Sequence, residues 1–169
     1  MTKLLLLCLS AAVATGCAMA PAPRPAASGP PPVAIEADSI SYATSACFGR
    51  CPIYRVTVRP DGSGVFEGQR FTAVTGVRPF RVTPQQYRAF EAHLAPLRPR
   101  QGEVRLTGEG CATMATDLPG AEVVWTRAIG DGQAYQLNYG CDMEGNRAAA
   151  ERLRTAPELL PIAVFIGAR

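Results

Sequence analysis

Residues 53–67 read Ile-Tyr-Arg-Val-Thr-Val-Arg-Pro-Asp-Gly-Ser-Gly-Val-Phe-Glu. Side chains alternate across an extended chain, so Tyr54, Val56 and Val58 share one face and Arg55, Thr57 and Arg59 the other. Pro60 presets φ for a turn, and Gly62 and Gly64 supply the positive φ a turn demands. Val65-Phe66-Glu67 then returns as a second strand. The stretch predicts a β-hairpin with one apolar face, which something else must cover.

Working outward, Ile40 and Tyr42 predict a strand before the hairpin, in a domain starting near Ile35. Phe71–Thr75 and Val77–Val82 offer one or two more after it, with Pro79 placing the last at a sheet edge. Thr83-Pro84-Gln85-Gln86 opens a helix: Thr83 caps it, Pro84 fits the first turn, Gln86 completes a capping box, and Val82 and Tyr87 occupy the staple positions. Tyr87, Phe90, Leu94 and Leu97 form its buried stripe, and Pro96 and Pro99 end it. Residues 98–120 read as irregular. Glu122–Arg127 and Gln133–Tyr139 are two further strands joined at Asp131-Gly132, and Trp125 is expected in the core. Asn146 is positioned to cap a second helix with Ala149, Leu153 and Ala156 inward, and Ile162–Ile166 is an apolar ending that should dock on the core. Strands, helix, strands, helix predict an α+β fold: an antiparallel β-sheet with two helices packed on one face, a two-layer single domain.

The first residues are of another kind. Lys3 is followed by an apolar run from Leu4 to Val13, broken only by Ser10 and too short to span a membrane. Ala14-Thr15-Gly16-Cys17 resembles a lipobox, which implies cleavage before Cys17 and fatty acylation of it. Ordinary secretion would cut after Ala18-Met19-Ala20, but Pro21 would then follow the cut. Ala18, in the absence of an aspartate after Cys17, favours the outer membrane by the same resemblance. Residues 18–33 carry six prolines and have no core-forming pattern. At ~3.1 Å per residue they make a spacer of up to roughly 50 Å. The expected organisation is a signal peptide at 1–16, a lipidated Cys17 with its tether at 17–33, and one domain at 34–169. The expected location is the cell envelope, at the periplasmic face of the outer membrane, held to the membrane by lipid on Cys17.

Net charge is +3, and of seventeen basic residues only Lys3 is a lysine. The arginines are scattered, with no basic run, so no nucleic-acid partner is expected. Export places Cys47, Cys51, Cys111 and Cys141 in an oxidising compartment, where an even set reads as disulfides. Cys47 with Cys51 and Cys111 with Cys141 is the expected pairing; four cysteines allow three, and a crossed arrangement stays open. Two other readings attach to Cys47-Phe48-Gly49-Arg50-Cys51-Pro52. A redox dithiol would need a helix N-terminus to acidify it, yet a strand follows. The string is also similar to the copper-chaperone motif of Sco proteins, which adds a distant histidine; His93 is the only one here.

A serine triad would have to use that same His93, and no nucleophile elbow is present. Asp117 and Asp142 sit in turn-like contexts that explain them without acid–base chemistry. No catalytic residue, metal or cofactor is therefore expected, and no enzymatic activity.

Cys47-Phe48-Gly49-Arg50-Cys51-Pro52-Ile53-Tyr54, followed by an alternating strand and a Pro-Asp-Gly turn, resembles a bacterial family built on domain of unknown function 6438, with a C-F-G-x-C-P-x-Y signature. The resemblance spans most of 38–167 and implies a small, often exported protein with no assigned catalytic residues. Cys111 and Cys141 are not part of the signature. The expectation is a binding or scaffolding module for an envelope protein or a wall component, with the sheet edge near Pro79 and residues 98–120 as contact regions. The alternative is a periplasmic thiol-redox or copper-binding protein using Cys47 and Cys51.

Overall fold

The alternation that marks the hairpin organises the whole sheet. In the computed structural model, which describes residues 38–129 and 132–167, seven strands form: β1 (Ser39–Thr44), β2 (Ile53–Val58), β3 (Ser63–Arg70), β4 (Gly76–Arg81), β5 (Glu103–Leu106), β6 (Gly120–Thr126) and β7 (Gly132–Asn138). The signal peptide, Cys17, the tether and Asp131 lie outside the described residues. The strands are ordered β4-β3-β2-β1-β6-β7-β5. Across the centre, Tyr42 lies opposite Val56 and Val123, and Ile40 opposite Val58 and Trp125, so the inward positions of three strands meet in rows. Tyr42, Val56, Val123 and Trp125 are all buried. The opposite face carries Ser41, Arg55, Thr57, Glu122 and Gln136, none of them buried.

The 59–63 turn closes through the Arg59 amide, which donates to the Ser63 carbonyl at 2.9 Å. Gly62 has φ +81°, and a Cβ there would run into the Val82 carbonyl. That carbonyl is near because the Val82 amide donates to Gly62, tying the hairpin turn to the start of the first helix.

Helix α1 (Pro84–Leu94) has its full capping box: the Gln86 amide donates to Thr83 Oγ1 at 3.2 Å, and the Thr83 amide to Gln86 Oε1 at 2.9 Å. Tyr87, Phe90 and Leu94 are buried, while Leu97, beyond the helix, is only partly so. Helix α2 (Arg147–Thr155) turns Ala150 and Leu153 inward. Both helices pack on the same sheet face. The Tyr42 hydroxyl reaches out of the sheet to the Leu153 carbonyl at 3.0 Å. His93 Nε2 donates to the Arg152 carbonyl at 2.8 Å, and Arg152 returns a bond to the His93 carbonyl at 2.7 Å. Helix α3 (Ala163–Ile166) docks as a single turn, with Ile162 and Ile166 buried and Phe165 against Phe66 at 5.4 Å.

The architecture is the expected α+β layer pair, with four local corrections. Residues 98–120 are not wholly irregular: β5 forms there and runs parallel to β7, so the sheet is mostly rather than entirely antiparallel. Phe71–Thr75 is not a strand; Phe71 takes φ +58°, a left-handed turn that breaks extended geometry. Asn146 does not cap α2. Its backbone (φ −96°, ψ 5°) lacks the extended N-cap conformation, and its Nδ2 donates instead to the Cys141 carbonyl at 2.9 Å. Ala149 is only partly buried, and Ala150 takes the inward position.

Candidate functional site

The antiparallel order brings the ends of β1, β3 and β7 and the starts of β2 and β6 to one pole of the domain. Loops 45–52, 71–75, 107–119 and 139–146 therefore converge there, and both disulfides lie among them. Cys47 is bonded to Cys51, with Cα atoms 5.8 Å apart. Gly49, at φ +139°, lets the short loop close. The Phe48 amide donates to the Asp117 carbonyl at 3.0 Å, joining this loop to the next, while the Phe48 ring is 87% exposed. Strand β2 follows the motif directly, so no helix N-terminus faces either sulfur.

Cys111 is bonded to Cys141, with Cα atoms 5.3 Å apart, which fastens the 107–119 loop to the end of β7. The same joint is clamped by Asp142. Its carboxylate accepts from the Thr113 amide at 2.7 Å, the Ala112 amide at 3.1 Å and the Thr113 hydroxyl at 3.0 Å. Those donors hold the carboxyl below the ordinary carboxylate range. Asp117 and Asp142 both have positive φ, +70° and +40°, the left-handed turn geometry that aspartate tolerates better than most residues.

His93 belongs to the α1–α2 joint. Among the described residues no group of three or more His, Cys, Asp or Glu side chains is placed to hold a metal, so His93 is not brought to Cys47 and Cys51.

What the pole does form is a concavity of about 250 Å³ under the first disulfide. Tyr42, Tyr54 and Tyr139 supply rings, and Pro52, Pro119 and Cys51 close the sides. The hydroxyls at its margin are committed to the backbone. Thr44 Oγ1 donates to the Pro52 carbonyl at 2.8 Å and accepts from the Tyr54 amide at 3.1 Å, and Ser45 Oγ accepts from the Gly120 amide at 2.7 Å. Arg154 stands at the rim with its guanidinium 4.4 Å from the centre of the Tyr139 ring. Tyr42, Tyr54 and Tyr139 are legible in the sequence as inward strand positions, but their convergence is not, because it depends on strands far apart in the chain. Arg154 carries no sequence signal at all: it is one arginine among many on an exposed helix face.

A hollow of about 220 Å³ on the opposite sheet face is polar. There Arg55 Nη2 lies 3.8 Å from Glu122, so the two charges that line it are matched within the sheet. Among the described residues no helix is long and apolar enough to cross a membrane. The model of a protein family described as a domain of unknown function (DUF6438) matches residues 38–157. No curated protein matches the chain.

Proposed function

This chain belongs to that family of domains of unknown function, and from its N-terminal sequence and its braced aromatic pole we propose that it is a lipid-anchored envelope lipoprotein that binds or scaffolds, without catalysing a reaction of its own. The observation that carries the binding reading is the aromatic concavity. Its rings face an open hollow, its hydroxyls are committed to backbone partners, and the surrounding loops are braced by two disulfides. A rigid apolar hollow with few polar groups is the usual form of a recognition site. Anchoring is supported by Lys3, the apolar run and the Ala14-Thr15-Gly16-Cys17 string. Two or three acyl chains on Cys17 give stable attachment where one chain would be marginal. The partner is an envelope protein or a wall component, met at the disulfide-braced pole on the periplasmic face of the outer membrane.

Two measurements test this. Mass spectrometry of the N-terminal peptide from envelopes should return an acylated Cys17, and Cys17→Ser should leave the membrane fraction. Alkylation of the native protein without reductant should modify none of Cys47, Cys51, Cys111 and Cys141. Copper retained on purification, or two reactive thiols at Cys47 and Cys51, would replace this reading with a thiol or metal function.

A further inference from the structure

We propose that the concavity among Tyr42, Tyr54 and Tyr139 is a binding site for a small organic carboxylate, its single-ring apolar body seated between the tyrosines and its charge on Arg154. The inference rests on reading this pole as a recognition surface and adds the class of ligand.

Size sets the first limit. A dry cavity of ~150 Å³ holds a benzene ring, so about 250 Å³ accommodates one ring with a short chain. Wall chemistry sets the second. Rings, prolines and a disulfide offer dispersion and area burial, while the Thr44 and Ser45 hydroxyls already serve the backbone. The body of the ligand is therefore apolar.

Charge sets the third. Among the described residues Arg154 is the one charged residue lining the concavity, and no acidic side chain lines it. Arg154 is in none of the ion pairs within 4.0 Å found among the described residues. Glu144 and Arg147 line a neighbouring hollow that shares Tyr139 and Arg154 with this one, and there they bring one negative and one further positive charge. The concavity continues past Cys51, Pro52 and Ile166 into an open depression that, among the described residues, carries Arg50 and no acidic side chain. The local field thus favours an anion. One guanidinium matches one negative charge, and its planar fork fits a carboxylate with two parallel hydrogen bonds. The stacking of Arg154 on Tyr139 keeps the fork at the rim before a ligand arrives, which lowers the ordering cost of binding.

The test is an amide-resolved NMR titration of the full chain carrying Cys17→Ser, with both disulfides formed. The probes are 3-phenylpropionate and its neutral isostere 3-phenylpropanamide. The carboxylate should bind about tenfold tighter than the amide, the size of one charge-assisted contact at a partly exposed site. Shifts should centre on Tyr42, Tyr54, Gly120 and Tyr139. Arg154→Gln should abolish the preference for the carboxylate; Arg154 is exposed, so the fold is not at stake. Equal binding of the two probes at these residues would overturn the carboxylate assignment and leave the pole as a recognition surface. No shift with either probe would overturn both.

Discussion

Asp142 accepts from the Thr113 and Ala112 amides at 2.7 and 3.1 Å, and these donors depress its carboxyl. A depressed carboxyl contributes stability above its unfolded pKa and loses it as pH falls through the folded value. Below about pH 4 the clamp should therefore weaken. Hydrogen exchange at Ala112 and Thr113 should accelerate in that range, and Asp142→Asn, which keeps an acceptor but cannot titrate, should lack the step. The same acid-induced rise in the variant would remove Asp142 as the cause. Tyr87 gives the opposite edge. Burial pushes its hydroxyl up to about 12. A raised tyrosine contributes fully below its unfolded pKa near 10 and loses that contribution as pH climbs through about 12. Burial raises Tyr135 as well, so spectrophotometric titration should show late-ionising tyrosine, and Tyr87→Phe should remove one such group from it. Inside the core, Tyr42→Phe strips the Leu153 carbonyl of its donor. That should cost about 1 kcal/mol, or roughly 4 °C in Tm by calorimetry.

Between elements, the two disulfides differ in what they constrain. Cys111 and Cys141 are separated by 30 residues, Cys47 and Cys51 by 4. Chain entropy assigns about 3.7 kcal/mol to the longer loop and about 2 to the shorter. Replacing Cys111 and Cys141 by serine should therefore lower the urea midpoint clearly more than replacing Cys47 and Cys51, and the reverse order would mean that native-state packing, not loop closure, sets the difference. Elements also show where sequence reasoning reaches its limit. The 53–67 hairpin, α1 with its box and the strand pair β6 and β7 were legible because their signals are local: period-two alternation, a cap three residues from its partner, an Asp-Gly turn. Strand β5 was not. Val104 and Leu106 alternate with Glu103 and Arg105, but four residues are too few to establish a period, and the strand is completed only by parallel pairing with β7. Phe71–Thr75 misled for the converse reason. Its apolar residues suit a strand, but the segment bends, and its Ala73 and Val74 amides donate to the Ile166 and Phe165 carbonyls about ninety residues on. The candidate site shares this non-local character, since its three tyrosines come from β1, from β2 and from just beyond β7.

At the scale of the molecule, the proposed anchor and the observed fold belong to different stretches of chain. Among the described residues, every member of the buried cluster lies between Ile40 and Ile166. Proline-rich sequence without apolar periodicity has little surface to bury and adds little to folding free energy. A chain beginning at Ala34, with its disulfides formed, should therefore unfold within about 1 °C of the longer protein, since a 1 °C change corresponds to only a few tenths of a kcal/mol for a domain this size. It should keep the same carboxylate preference at the tyrosine pole. Cys17→Ser should do the complementary thing, moving the protein out of the membrane fraction with its melting temperature unchanged. If truncation instead lowered Tm by roughly 4 °C or more, at least 1 kcal/mol of the fold would belong to the leader or tether. The proline-rich segment would then be a packed part of the domain, and its reading as a spacer would be wrong.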